Sequence, residues 1–244
     1  MAKVSITFAA WKEGRVAPGT GQARILKADK NAVPAAPAVR AAPERSAVAN
    51  NLKQIGLAFH HYLSSHGTFP ASAIYGKDGK PLLSWRVALL PYLDQEALYK
   101  EFKLDEPWDS ANNKKLLEKM PAVFGVPGVD FKGMTIYQVF TGPGTMFEGT
   151  KGIKVGDVTD GLSNTILAID AGPPVPWTKP ADVVYDAKTP LPKLGGIFEN
   201  GFHILLADGS VRLVPRNINE TVLRRAIMRN DGVEFDEPKP RQKP

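Results

Sequence analysis

The chain has 244 residues, of which 43% are hydrophobic and 9% aromatic, enough for one packed domain with arms. It contains no cysteine, which excludes disulfides, thiolate metal sites and cysteine nucleophiles. Its net charge of +6 is uneven: residues 1–46 hold 8 Lys/Arg against 3 Asp/Glu, residues 236–244 hold 3 against 2, and residues 47–235 hold 20 of each. The basic character belongs to the arms, so no nucleic-acid-binding face is expected on the body.

Val4, Ile6 and Phe8 alternate with Ser5 and Thr7, a period of two that predicts a short strand, with Ala23–Lys27 as its partner after the Pro18–Gly21 turn. Val4–Trp11 is apolar but short, and Lys12-Glu13 follows where a small-residue cleavage site would stand, so no signal peptide is expected. No stretch reaches the ~20 apolar residues of a membrane-spanning helix. Residues 32–43 are rich in Ala and Pro and read as a polyproline-like linker. The expected organisation is a basic arm and linker over 1–43, an α+β domain over 44–235 and a Pro/Lys tail over 236–244.

A long helix begins near Glu44 or Arg45. Val48, Leu52, Ile55, Phe59 and Tyr62 are spaced 4, 3, 4, 3, one apolar stripe of a 3.6-residue period. Gly67 stands where a left-handed C-terminal cap is wanted. Asp78-Gly79 predicts a turn and Pro81 a loop. Short helices are expected over Trp85–Leu93, Asp94–Phe102 and Asp109–Met120, the last capped by Asp109 or Ser110. Strands follow at Ile136–Phe140, Ile166–Asp170 and Gly196–Phe198. Phe202–Ala207 and Ser210–Val214, joined by Asp208-Gly209, predict a hairpin with a type I′ turn. A last helix spans Glu220–Arg229, with Asn219 as its N-cap. Helices first and strands later give an α+β fold with an antiparallel sheet.

Several segments resemble, in order, a planctomycete family of secreted, pilin-like proteins of unknown function. They are Asn50–Pro70, Ser84–Leu93, Glu106–Ser110, Asp160–Thr165, Val175–Pro180 and Ala207–Arg212. Members of that family begin with a prepilin leader and a membrane helix, and end with a His-X-Asp-Gly element. Here the Ala/Pro stretch stands where that helix would be, so anchoring through it is not expected. The resemblance implies a pseudopilin-like fold, with a long N-terminal helix laid on an antiparallel sheet. It also implies a structural or interaction protein of the cell envelope, or a secreted one, that associates with itself as a homo-oligomer or with other envelope proteins.

The residues themselves carry little chemistry. His60, His61 and His66 have no zinc-gripping spacing. His203 lies in the final hairpin on the face opposite Phe202 and Ile204; a dyad with Asp208 is weighed against plain turn chemistry, a hydrolase around His203 and the loop aspartates Asp157 and Asp160 is a third expectation, and no catalytic residue is assigned. Asp157, Asp160 and Asn164 place hard oxygen ligands in a Gly-containing loop, a candidate calcium site weighed against plain turn chemistry. Trp108 and Trp177 sit beside prolines and are candidate ligand-binding residues for an extracytoplasmic glycan- or solute-binding module. Arg224, Arg225 and Arg229 read as a solvated helix face. Gly125–Gly128 and Thr141–Thr145 match neither a phosphate-binding loop nor a dinucleotide fingerprint. No cofactor is expected.

Overall fold

The computed structural model describes residues 42–129, 132–195, 198, 201–233 and 235. The expected strands at Val4–Phe8 and Ala23–Lys27, most of the linker and the 236–244 tail lie outside these residues, as do Gly196 and Ile197 of the expected strand at Gly196–Phe198.

Helix α1 spans Ala42–His66. It starts slightly before the expected point, because Pro43 falls in the first turn, where a missing N–H costs nothing. It ends at Gly67, whose φ of +74° supplies the left-handed cap, and the Gly67 N–H donates to the Leu63 carbonyl at 2.8 Å. Val48, Leu52, Ile55 and Phe59 are fully buried and Tyr62 is half-buried, so the apolar stripe is the packed face.

Strands β1 (Ala73–Tyr75) and β2 (Pro81–Ser84) form a small hairpin across the Asp78-Gly79 turn. Pro81 therefore opens a strand and is not loop, a position that demands no N–H from it. Helix α2 (Trp85–Ala88), a 3₁₀ turn at Leu90–Leu93 and helix α3 (Glu96–Glu101) follow. The expected helix at Asp109–Met120 is a 3₁₀ segment over Asn113–Lys119; Ser110 Oγ accepts from the Asn113 N–H at 3.1 Å.

The main sheet contains β3 (Met134–Gln138), β5 (Ile166–Pro176), β7 (Gly201–Leu206) and β8 (Val211–Pro215) in the order β3-β5-β7-β8, all antiparallel. Strands β4 (Phe140–Thr141) and β6 (Val183–Val184) pair in parallel beside it. Strand β5 runs six residues past the expected end at Asp170. Its prolines lie in the half that pairs only with β3, so no ladder toward β7 needs their missing N–H groups. The β7–β8 connection is not a type I′ turn. Leu206 accepts from the Gly209 N–H at 2.9 Å, and Asp208 keeps a negative φ while Gly209 sits at +87°. This is a three-residue loop, a tight turn followed by one left-handed residue.

All six residues of β7 are buried because both faces of the sheet are covered. Leu205 packs with α1, while Phe202, Ile204 and Leu206 pack with Leu223, Ala226 and Ile227 of helix α4 (Glu220–Ile227). Gly56 permits the close passage of α1, since a Cβ there would lie 2.9 Å from Leu205 Cδ1. Asn219 caps α4 as expected, accepting from the Thr221 N–H at 2.8 Å.

The α1 seam sets a stability contrast. Leu52→Ala or Ile55→Ala should cost ~2–5 kcal/mol in chemical denaturation. Lys53→Ala, on the exposed side, should cost less than about 0.5 kcal/mol. Equal costs would refute the packing of this face.

Candidate functional site

Two buried polar pairs organise the interior. The first begins at Ser84, which ends β2 and caps α2 by accepting from the Arg86 N–H at 3.3 Å. Arg86 is fully buried. Its Nη2 meets Asp182 Oδ1 at 2.8 Å, its Nε donates to the Tyr137 carbonyl at 2.9 Å, and its Nη1 donates to Ser84 Oγ at 2.6 Å. The guanidinium lies 4.6 Å from the centre of the Trp85 ring. Asp182 Oδ1 also accepts from Trp85 Nε1 at 3.1 Å and from the Val139 N–H at 3.0 Å. Burial raises the Asp182 carboxyl and lowers the Arg86 guanidinium, and their mutual attraction opposes both shifts. At neutral pH the guanidinium keeps its proton, so the pair is ionic.

Beside Asp182 lies an open hollow of about 380 Å³, between the β1–β2 hairpin and the β4–β6 pair. Ser72, Tyr75, Thr141, Phe147 and Val184 contribute to its wall.

The second pair joins β5 to β7. Asp170 and His203 are each only 4% exposed. His203 Nδ1 lies 2.7 Å from Asp170 Oδ2, and the His203 N–H donates to Asp170 Oδ1 at 2.6 Å. The Phe198 ring meets His203 edge-on at 5.6 Å, and Arg45 of α1 sits 5.4 Å over Phe198. Burial pushes the Asp170 carboxyl up to about 6, against the lowering pull of His203. The histidine thus has an aspartate partner, but it is Asp170 and not Asp208. Asp208 instead accepts from the Ser210 N–H at 2.8 Å within the turn.

The other candidate residues separate. Asp157 Oδ2 accepts from the Lys154 N–H at 3.2 Å. Asp160 accepts from the N–H groups of Asp231 at 2.8 Å and Gly232 at 2.9 Å, and Asn164 donates to the Asp160 carbonyl at 2.8 Å. These side chains hold backbone, and among the described residues no group of three or more His, Asp or Glu is placed to hold a metal ion. Trp177 is fully buried: Nε1 donates to the Leu117 carbonyl at 3.1 Å and the indole stacks on Phe124 at 5.9 Å. It pins its loop and offers no ligand face. Trp108 is half-buried, with Lys179 Nζ 5.4 Å from its ring centre. Arg229 is not on a solvated face. It is 9% exposed, donates to the Thr145 carbonyl at 2.7 Å and pairs with Glu148 at 2.7 Å. Arg224 pairs with Glu220 at 2.6 Å.

Arg86, Asp182 and Asp170 were not singled out from sequence. A signal existed for two of them. Arg86 is the lone charge in Trp85–Leu90, and Asp170 ends the apolar run Ile166–Ile169. A lone charge inside an apolar element implies a buried partner.

Residues 37–127 match the profile of a family described as "Protein of unknown function (DUF1559)". Over that stretch the chain is similar to a family without an assigned activity. No curated protein and no solved structure matches the chain. No described helix is long and apolar enough to cross a membrane.

The Asp170 carboxyl sets a pH dependence. A carboxyl with a folded value above its ordinary one holds its proton more tightly in the folded state. Its contribution to stability is complete below about 3.8 and is lost as the pH rises through about 6. Across that window the native chain should lose on the order of 3 kcal/mol relative to Asp170→Asn in urea titrations. A constant difference between the two proteins would count against this. For the 157–164 loop, neither Ca²⁺ nor EDTA should move the melting temperature, and Asp160→Ala should cost ~1–3 kcal/mol by orphaning two amides. A calcium-dependent rise lost in Asp160→Ala would restore the metal site.

Proposed function

We propose that this protein is a non-enzymatic structural and interaction protein of the cell envelope, pseudopilin-like in build, that associates with copies of itself or with other envelope components. The observation that carries the reading is how the reactive side chains are employed. His203 and Asp170 bond each other under cover, Arg86 and Asp182 bond each other and backbone, and Trp177 anchors a loop. Such groups stabilise a scaffold; a catalytic site needs them open to a substrate. The long α1 laid on an antiparallel sheet supports the pseudopilin comparison, as do the ordered motifs from Asn50 to Arg212. Leu57, 60% exposed on the outer side of α1, gives that helix an apolar contact point.

Sedimentation of the full chain over a range of concentrations tests this. Association should increase with concentration, weaken in Leu57→Glu without loss of folding, and be accompanied by recovery of the native protein in the envelope fraction. A chain that stays monomeric and fractionates away from the envelope defeats the proposal. So does a hydrolytic activity that disappears in His203→Ala.

A further inference from the structure

The hollow beside Asp182 combines features that the scaffold does not use. Three donors converge on Asp182 Oδ1: Arg86 Nη2, Trp85 Nε1 and the Val139 N–H. Among the described residues none reaches Oδ2, although the side chain is only 3% exposed. Oδ2 is not one of the buried side-chain atoms left without a partner, so it still meets solvent and is open to a donor from outside. Asp182 also borders the hollow.

The wall around it is weakly committed. Tyr75 Oη and Ser72 Oγ share one hydrogen bond at 2.9 Å, and Tyr75 reaches the Gly149 carbonyl only at 3.3 Å. Thr141 Oγ1 approaches the Val183 carbonyl at 3.5 Å, the outer limit of such a bond. These hydroxyls can turn to a ligand at little cost. Phe147, Pro81 and Val184 supply apolar surface on the same wall.

Charge decides the ligand class. Among the described residues Asp182 is the one charged residue lining the hollow, and Arg86 already pairs with it. A cation would find its counter-charge taken. An anion would face a carboxylate with no lysine or arginine on the wall. A purely apolar ligand would leave three hydroxyls and Oδ2 unanswered. What fits is a neutral molecule with several hydroxyl donors and an apolar edge. The volume of about 380 Å³ lies at the small end of the range for small-molecule sites.

We propose that this hollow binds a neutral saccharide unit, one of whose hydroxyls donates to Asp182 Oδ2 while others exchange bonds with Ser72, Tyr75 and Thr141. This site does not depend on the scaffold reading and would stand if that reading failed.

The test is an NMR titration of the full chain, following the indole N–H of Trp85, which bonds the same carboxylate, and the Gly142 amide on the wall. The probes are glucose, galactose and N-acetylglucosamine, their linear oligosaccharides, and the charged analogues glucuronate and glucosamine. Saturable shifts with the neutral sugars and at least a tenfold weaker response to both charged analogues are expected. Tighter binding of the oligosaccharides than of their monomers assigns the site to a glycan chain, and equal binding assigns it to a free sugar. Val184 is 74% exposed at the rim, so Val184→Trp should fold normally yet weaken binding about tenfold. Tyr75→Phe should weaken it several-fold with the melting temperature unchanged. The proposal is overturned if no neutral probe gives a saturable shift, if charged and neutral probes bind alike, or if Val184→Trp binds as the native chain does.

Discussion

A guanidinium with no exposure to solvent, held by one carboxylate, joins parts of this chain that are far apart in sequence. Arg86 comes from the short helix after the β1–β2 hairpin, and Asp182 from the segment that leads into β6. Between them they hold the Tyr137 carbonyl, the Val139 N–H, Ser84 Oγ and the Trp85 indole. Removing either charge strands the other in a medium that cannot solvate it, at a cost of ~3–5 kcal/mol. The position of β6, the end of β3 and the wall of the hollow all follow from where this pair sits.

The four-stranded sheet lies between two helical layers, and this determines where polar groups can be placed. A strand covered on both faces offers no solvated side, so a polar residue on β7 needs its partner within the sheet. His203 finds Asp170 on the neighbouring strand. Asp160 likewise holds the N–H groups of Asp231 and Gly232, fixing the chain just after α4. Arg229 grips the Thr145 carbonyl and Glu148 from the same region. Asp160 and Arg229 thus tie the end of α4 and the chain after it to neighbouring loops, while Asp170 and His203 join two strands within the sheet.

The helix and the hairpin were legible in the sequence because each announces itself locally. The stripe from Val48 to Tyr62 and the cap at Gly67 depend on spacing alone, and so does Asn219 ahead of α4. The misreadings came from long-range context. Pro81 and the prolines of β5 suggest loops until one knows which strand edges lack a neighbour. Asp208-Gly209 has the composition of a type I′ turn, but a three-residue loop needs only Gly209 at positive φ. Arg229 resembled its neighbours Arg224 and Arg225 on a helix face, yet the loop carrying Thr145 and Glu148 covers it. The polar pairs were hidden for the same reason: Arg86 and Asp182 are 96 positions apart, and Asp170 and His203 are 33 apart. The Asp160 and Trp177 side chains are partnered by residues far along the chain, so their apparent availability as ligands was an effect of reading one segment at a time.

The separation of Arg86 from Asp182 also has a meaning in time. During synthesis at ~5–20 residues per second, the 96 residues between them take roughly 5–20 s to emerge. Throughout that interval the stretch at 37–127 exists without the carboxylate its arginine requires. It can form α1 and the first hairpin, but it cannot bury Arg86 without leaving a bare charge inside. In this chain the stretch resembling the DUF1559 family thus draws the counter-charge of its buried arginine from a segment outside it. Its interior closes only when the ribosome has delivered the segment ahead of β6, so the nascent chain must wait with that arginine in water.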